Sequence, residues 1–444
     1  MAVALRRPTG MVAFSIVWVG QVVSLIGTEM TRFALALWAW QTTGSATVMS
    51  LVIFFAFGPT VILSPVAGAL VDRWNRKLVM MLSDLAAGLG TVALLLLFLT
   101  DNLQVWHLFV AGAFTGAFQA FQWPAYSAAI TTMVAKTQYA RANGMLALTE
   151  SSAMVVAPLL AGTLIGLIGI GGVMSIDVVT FVFAVGVLAL IHVPQPAISK
   201  EGQAGHGSLW RESLYGFDYI RRRPSLLGLQ LVFLGMNFLS AFYLALMSPM
   251  ILARTGEDAQ VLGTVLACSG IGGIAGGLTM STWGGPRRRV HGVLGGMALA
   301  SLLGMLVVGL GRSLPMWAFG AFAGAFFLPI LNGSNQAIWQ AKVAPDLQGR
   351  VFATRRLIAQ LTLPVALLLA GPLADFVFEP AMQPGGAPAG SAGRLIGTGS
   401  GAGMALMIAL VGVLGVGVSL SGYLFRAVRA AETLLPDHDE EAAA

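Results

Sequence analysis

The chain has 444 residues, of which 57% are hydrophobic and only 10% charged, against about 25% charged in an ordinary soluble domain. That balance excludes a water-soluble globule, which has no means of hiding so much apolar surface. The net charge of +6 does not point to nucleic acid, because the basic residues are spread between long apolar stretches. The single cysteine excludes an internal disulfide framework and a multi-cysteine metal site.

In chain order, the apolar stretches predict an all-α integral membrane protein of twelve transmembrane helices. They lie at 12–40, 46–71, 77–100, 105–129, 142–168 and 172–192, then at 226–253, 259–283, 290–311, 315–340, 351–378 and 402–426. Each provides the ~20 residues needed to cross ~30 Å of hydrocarbon. Inside that layer the backbone must satisfy its own hydrogen bonds, which selects helix. Ahead of the first span, residues 1–10 carry Arg6 and Arg7 with no small-residue cleavage site. The first apolar helix is too long for a signal peptide, so this segment is expected to be retained. Between the sixth and seventh spans, 194–225 holds Lys200, Glu201, Arg211, Glu212, Asp218 and the run Arg221, Arg222 and Arg223. Trp210, Leu214, Phe217 and Ile220 recur there at helical spacing, as in an amphipathic helix lying on a membrane surface. The expected organisation is two pseudo-symmetric six-helix bundles, 1–193 and 226–426, joined by a cytoplasmic linker at 194–225 and followed by a cytoplasmic tail at 427–444. Cys268, beside Ala267, Gly270 and Gly272, is expected to be a small packing residue.

The loops that alternate on one side hold Arg73, Arg76, Lys77, Lys136, Arg141, the linker basics, Arg287, Arg288, Arg289, Lys342, Arg350, Arg355 and Arg356. The other side holds only Arg254, Arg312 and Arg394. Positively charged loops stay inside, which puts both termini in the cytoplasm of a cell (inner) membrane and sets the basic surplus against anionic lipid headgroups. An internal repeat relates the halves: Gly112-Ala-Phe-Thr-Gly-Ala-Phe118 returns as Gly320-Ala-Phe-Ala-Gly-Ala-Phe326. At nearly the same offset, Gly68-Ala-Leu-Val-Asp-Arg-Trp74 matches Gly277-Leu-Thr-Met-Ser-Thr-Trp283. A duplicated unit in parallel orientation places a substrate site near the midplane between its copies.

Polar residues inside the spans are the candidates for that site. Gln21, Ser24, Thr28, Glu29 and Arg32 fall on roughly one face of the first span. A carboxylate within the membrane is costly and marks a pathway, so Glu29 is the leading candidate to carry a coupling proton. A static Glu29–Arg32 pair at i,i+3 is the structural alternative. Glu150 in the fifth span is expected either to pair with Arg141, Arg355 or Arg356 or to line the cavity. Gln119, Gln122, Trp123 and Tyr126 in the fourth span, Asn332, Asn335, Gln336 and Trp339 in the tenth, and Asn237 and Tyr243 in the seventh present amides among aromatics. That mixture suits an amphiphilic small-molecule substrate, or interhelical hydrogen bonding. Asp84, Asp177 and Asp375 lie within a turn or two of span ends, where interfacial solvation or helix-end pairing is expected to hold them.

The loop Gly68-Ala-Leu-Val-Asp72-Arg73-Trp74-Asn75-Arg76-Lys77 resembles the cytoplasmic signature loop of the major facilitator superfamily, with Asn75 standing where glycine is usual. Gly20-Gln21-x-x-Ser24 with Glu29, Arg141-Ala-Asn-Gly144, Ala157-Pro-x-x-Ala-Gly162 and Ala370-Gly-Pro-Leu-Ala-Asp375 are similar to its efflux branch of macrolide and enterobactin exporters. The resemblance implies the major facilitator fold and a monomeric secondary transporter that exports a small amphiphilic compound against protons by alternating access. It also implies a conformational gate at Gly68, Asp72, Arg73, Arg76 and Lys77; positive-inside anchoring is the alternative, and Arg76 and Lys77 fit it better. Ser281 and Thr282 replace the charged pair in the second repeat. Uptake or facilitated diffusion is the alternative among transporters, and a non-transporting sensor or scaffold the alternative outside them. The five histidines are dispersed and no Gly-Lys-Ser/Thr occurs, so neither metal chemistry nor ATP is expected, and no cofactor is called for.

Overall fold

The computed structural model describes residues 10–71, 74–134, 139–191, 217–343, 345–386 and 388–434, and no strand occurs among them. The helices are α1 (Gly10–Thr43), α2 (Ala46–Val71), α3 (Arg76–Leu99), α4 (Val105–Met133) and α5 (Tyr139–Leu190), followed by α6 (Pro224–Thr255) and α7 (Ala259–Trp283). Then come α8 (Arg289–Leu310, with a π turn over Ala300–Leu306), α9 (Leu314–Lys342), α10 (Pro345–Gln360), α11 (Thr362–Leu373) and α12 (Ala402–Leu424). Ten segments among the described residues are long and apolar enough to cross a membrane. One of them, Val155–Leu190, contains a break at Gly169, whose φ of 69° and ψ of 177° interrupt α5 where the sequence predicts a loop between two spans. Only glycine adopts that backbone conformation without strain, so α5 is two arms rather than one rod. Helix α4 runs for 29 residues and packs on α2 and α3.

Local signals account for the helix ends. Asn75 is the N-cap of α3, its side chain accepting the Leu78 N–H, which gives this departure from the usual signature glycine a structural role. Lys77 donates to the carbonyl oxygens of Ala189 at 2.8 Å and Ile191 at 2.7 Å, closing the C-terminus of the second α5 arm, where a cation is favoured. Pro224 opens α6, and left-handed Gly256 ends it. Large apolar side chains such as Ile62, Leu96, Leu167 and Leu190 point outward, as expected where lipid rather than water is the solvent.

The chain separates into two compact units, residues 1–198 with 257–267, and residues 199–256 with 268–444. Within the first, α1 packs along the second arm of α5, Gly20 against Ala184 and Val187, and Gly27 against Asp177 and Thr180. There α4 seats Gly112 and Gly116 on Ala56 of α2, and the Thr60 hydroxyl donates to the Gly116 carbonyl at 2.7 Å. Within the second, α6 packs on α12, and α8 meets α12 through Gly309 on Ala409 and Gly412 on Leu306. Helix α7 seats Gly272 and Gly276 on the carbonyl oxygens of Phe322 and Phe326 of α9. The α2–α4 and α7–α9 pairs both approach closely, as small residues allow in a membrane, but the second-copy repeat glycines Gly320 and Gly324 face Gly304 and Val308 of α8. The small residue is on α4 in one pair and on α7 in the other.

Adding a methyl at Gly276 drives it into the Phe326 carbonyl, whereas at Gly277 it meets nothing within 4 Å. Gly276→Ala should therefore lower the melting temperature of the purified protein by several degrees, overpacking costing about 1–3 kcal/mol, while Gly277→Ala leaves it unchanged. Equal melting of the two variants would show that the α7–α9 contact is not close.

The remaining charges of the second unit serve its ends. Arg254, expected in an outer loop, is instead in the last turn of α6, donating to the carbonyls of Gly401, Gly311 and Ile396. Glu379 accepts the N–H groups of Gly401 and Met404 at the start of α12. At the other end, Glu432 accepts the Val290 N–H and its carbonyl accepts from Lys342. This fastens the residues after α12 to α8 and α9.

Candidate functional site

The polar groups of the first unit are strung along α1. Gln21, two turns before Thr28, donates from Nε2 to Asp84 Oδ2 at 2.8 Å. Gln122 of α4 donates from Nε2 to Asp84 Oδ1 at 2.5 Å and to Gln21 Oε1 at 3.3 Å. Asp84 is 6% exposed, and no cation lies within ion-pair distance of it among the described residues. The sequence expectation for Asp84 is thereby corrected: it is no interfacial residue but a buried carboxylate held by two neutral amides. The Tyr126 hydroxyl, in a ring stacked on Phe14 at 6.2 Å, is buried without a hydrogen-bond partner on the same stretch of α4.

A turn and more along α1, Asp177 of the second α5 arm accepts the Thr28 hydroxyl at 3.1 Å and the Thr91 hydroxyl at 2.9 Å. At 2% exposed it too departs from the interfacial placement expected of it. Both carboxylates are met from α3, which presents Asp84 and, seven residues on, Thr91 along one face. Glu29 has a different setting. Arg32 donates to it at 2.7 Å and to Gln119 Oε1 at 3.0 Å, with 32% of the Glu29 side chain and 41% of the Arg32 side chain exposed. The i,i+3 pair weighed in the sequence is therefore formed, and it ties α1 to α4.

In the second unit, Asn237 donates to the Ala359 carbonyl at 3.2 Å and Gln230 to the Arg355 carbonyl at 3.1 Å, both from α6 to α10. Asn237 thus makes the interhelical bond that was the alternative to lining a pathway. Arg355 Nη1 donates to Gln336 Oε1 at 2.9 Å, and its guanidinium lies over the rings of Trp339 at 5.2 Å and Phe352 at 5.9 Å, within cation–π range. Trp339 is fully buried, with its N–H on Asn335 Oδ1 at 3.1 Å, so it underlies the arginine rather than facing a substrate. The Asn335 amide nitrogen has no partner, and Asn332 is exposed. A separate groove of about 430 Å³, lined by Phe217, Leu231, Phe238, Leu361 and Val365, is apolar and suits an acyl chain better than a polar substrate. Asp72 and Arg73 lie outside the described residues, as do the side chains of Trp123 and Glu150, and Gly68 is on the α2 backbone. Among the described residues no group of histidine, cysteine and carboxylate side chains could hold a metal ion.

The sequence model of the Major Facilitator Superfamily matches residues 17–367, most of the chain. The chain belongs to the major facilitator superfamily. It is accordingly a multi-pass membrane transporter rather than an enzyme. Among curated superfamily relatives, macrolide efflux protein A of Streptococcus pyogenes is 27% identical over 373 residues, covering 82% of this chain and 89% of that protein. Enterobactin exporter EntS of Escherichia coli O6:K15:H31 is 24% identical over 318 residues, covering 71% and 73%. In fold, the chain matches a bacterial homologue of the human lysosomal transporter Spinster with a TM-score of 0.66 at 15% identity, over 96% of this chain and 98% of that one. A bacterial homologue of the iron transporter ferroportin matches with a TM-score of 0.62 at 14% identity, over 93% and 98%. These likenesses bear out the all-α major facilitator fold and the efflux kinship read from the motifs.

Proposed function

We propose that this transporter exports a small amphiphilic compound in exchange for protons, by alternating access, from a cell inner membrane in which both termini face the cytoplasm. The observation that carries the coupling is Asp84: a carboxylate inside a membrane helix, buried, and held by Gln21 and Gln122 with no cation within ion-pair distance among the described residues. A fixed negative charge there is expensive, and such residues mark proton or ion routes. The amide pair can host either protonation state, Gln21 Oε1 being available to a protonated carboxyl and the two Nε2 groups to the ionised one. Glu29, Arg32 and Gln119 line the same route as a charge pair anchored to α4. Gate residues Gly68, Asp72 and Arg73 control access to it from the cytoplasm, with Arg76 and Lys77 as anchors. The outward direction is supported by relatives named for efflux and export, and the orientation by the basic loops. The working form is a monomer, as the family resemblance implies.

The test is flux in sealed vesicles of defined orientation with an imposed pH gradient, using macrolide and catecholate compounds as candidate cargo. Accumulation in inside-out vesicles that are acidic inside, collapsing when a protonophore is added, is the expected result. Accumulation insensitive to the gradient, or running the opposite way with it, would reassign the protein to facilitated diffusion or uptake.

A further inference from the structure

Three arginines of the spanning helices can be compared directly. Arg32 is paired with a carboxylate. Arg254 spends all three of its nitrogens on backbone carbonyls. Arg355 does neither: of its five N–H donors, one goes to the neutral amide of Gln336. No carboxylate lies within ion-pair distance of it among the described residues. It is nonetheless held in place with care. The α10 backbone that carries it is tied to α6 by Gln230 and Asn237, and buried Trp339 and Phe352 lie under its guanidinium. Arg355 stands at the start of the candidate span Thr354–Ala381, and a half-buried guanidinium with most of its donors unspent is costly unless something pairs with it.

We propose that Arg355 is the recognition residue for an anionic group on the transported compound, a planar carboxylate or comparable oxyanion, with Gln336 orienting the guanidinium and Trp339 and Phe352 fixing its plane. The fork of Arg matches a planar two-oxygen acceptor, which a lysine ammonium at the same place does not. The site lies wholly within the second unit, apart from the Asp84 cluster of the first. It deepens the transport reading by giving the cargo a chemical class: an amphiphilic organic acid rather than an amphiphilic base. An anionic lipid headgroup offers the same chemistry from another source, and we assign the site to cargo.

The probe is 2-naphthoate, compared with neutral 2-naphthamide, titrated against the full-length protein in phosphatidylcholine nanodiscs. The parental protein should bind the acid at least about tenfold more tightly than the amide, the worth of one charge-assisted hydrogen bond. Arg355→Gln should bring that ratio to about one, and Arg355→Lys should keep only part of it. Gln336→Glu, which sets a carboxylate against the guanidinium while keeping the packing, should also lose the preference, so a poorly folding Arg355→Gln does not blunt the test. Equal binding of acid and amide by the parental protein, or an unchanged preference in Gln336→Glu, overturns the proposal. So does displacement of 2-naphthoate by cardiolipin added to the nanodiscs, which would make the headgroup the ligand. Binding is read without a gradient, so its failure leaves proton coupling standing, and failure of uphill flux leaves the binding result standing.

Discussion

Replacing Asp84 by Asn should reduce gradient-driven accumulation to the level of protein-free vesicles while downhill exchange of the same compound continues near the parental rate. Asn preserves size and keeps one oxygen to accept from Gln21 or Gln122, but it carries no charge and no transferable proton. The side chain is buried and its two oxygens accept from both amides, so Asn keeps one of these bonds and one Gln amide turns to offer its oxygen to the new NH2, while the packing of α3 against α1 and α4 stays. An antiporter separates coupling from translocation in that way: a group that must gain and lose a proton in each cycle is indispensable to uphill work and dispensable to exchange between equal compartments. Asp218→Asn is the control, because Asp218 pairs with Arg221 and Arg222 before α6, away from the spans. Should Asp84→Asn still concentrate cargo against its gradient, the carboxylate is a buried polar contact and the coupling role passes to Asp177 or Glu29. Should exchange vanish as well, Asp84 holds the fold or the cargo rather than the proton.

Asp84 was not the carboxylate that stood out in the sequence, and the reason is physical. Helical periodicity tells which residues of one helix share a face, so Gln21, Thr28, Glu29 and Arg32 were legible together on α1. It does not tell which helix each face meets. Asp84 lies eight residues into α3, close enough to the end to look interfacial, and its burial follows from α3 packing against α4 and the second α5 arm. A signal was present: Asp84, Gly88 and Thr91 run at i, i+4 and i+7, a polar and small stripe on an otherwise leucine-rich helix. Gly88 there lets the Phe181 ring approach α3. Asp177 was hidden for the same reason, its partners Thr28 and Thr91 standing 149 and 86 residues away. By contrast ten spans among the described residues were readable, because length and composition alone decide them in lipid. Only the loop between the fifth and sixth shrank, to the break at Gly169. Arg254 shows the limit from the other side: counting basic residues assigned it to an outer loop, yet could not foresee three carbonyls converging on it.

Glu29 gives the second large effect. Glu29→Gln should cut uphill flux by about tenfold or more, and the double variant Glu29→Gln with Arg32→Gln should restore most of it. The single change leaves the Arg32 guanidinium without its 2.7 Å partner, held only by Gln119, and stranding one member of an ion pair costs more than removing both. An unpaired cation facing the cargo route repels protons, and a penalty of ~1.4 kcal/mol in the transport barrier already amounts to tenfold in rate. The partial exposure of the pair keeps the effect below that of a fully buried one. The double variant replaces the pair with two amides beside Gln119, which can hydrogen-bond among themselves as Gln21 and Gln122 do near Asp84. Restoration therefore identifies the pair as a fastening between α1 and α4 that keeps the route neutral, with proton carriage left to Asp84. A double variant that folds, exchanges cargo downhill and still accumulates nothing would instead make Glu29 itself a proton carrier, because pairing would no longer account for the loss. The measurement is the same vesicle flux in both cases, and the sign of the change between single and double variant decides which carboxylate moves the proton.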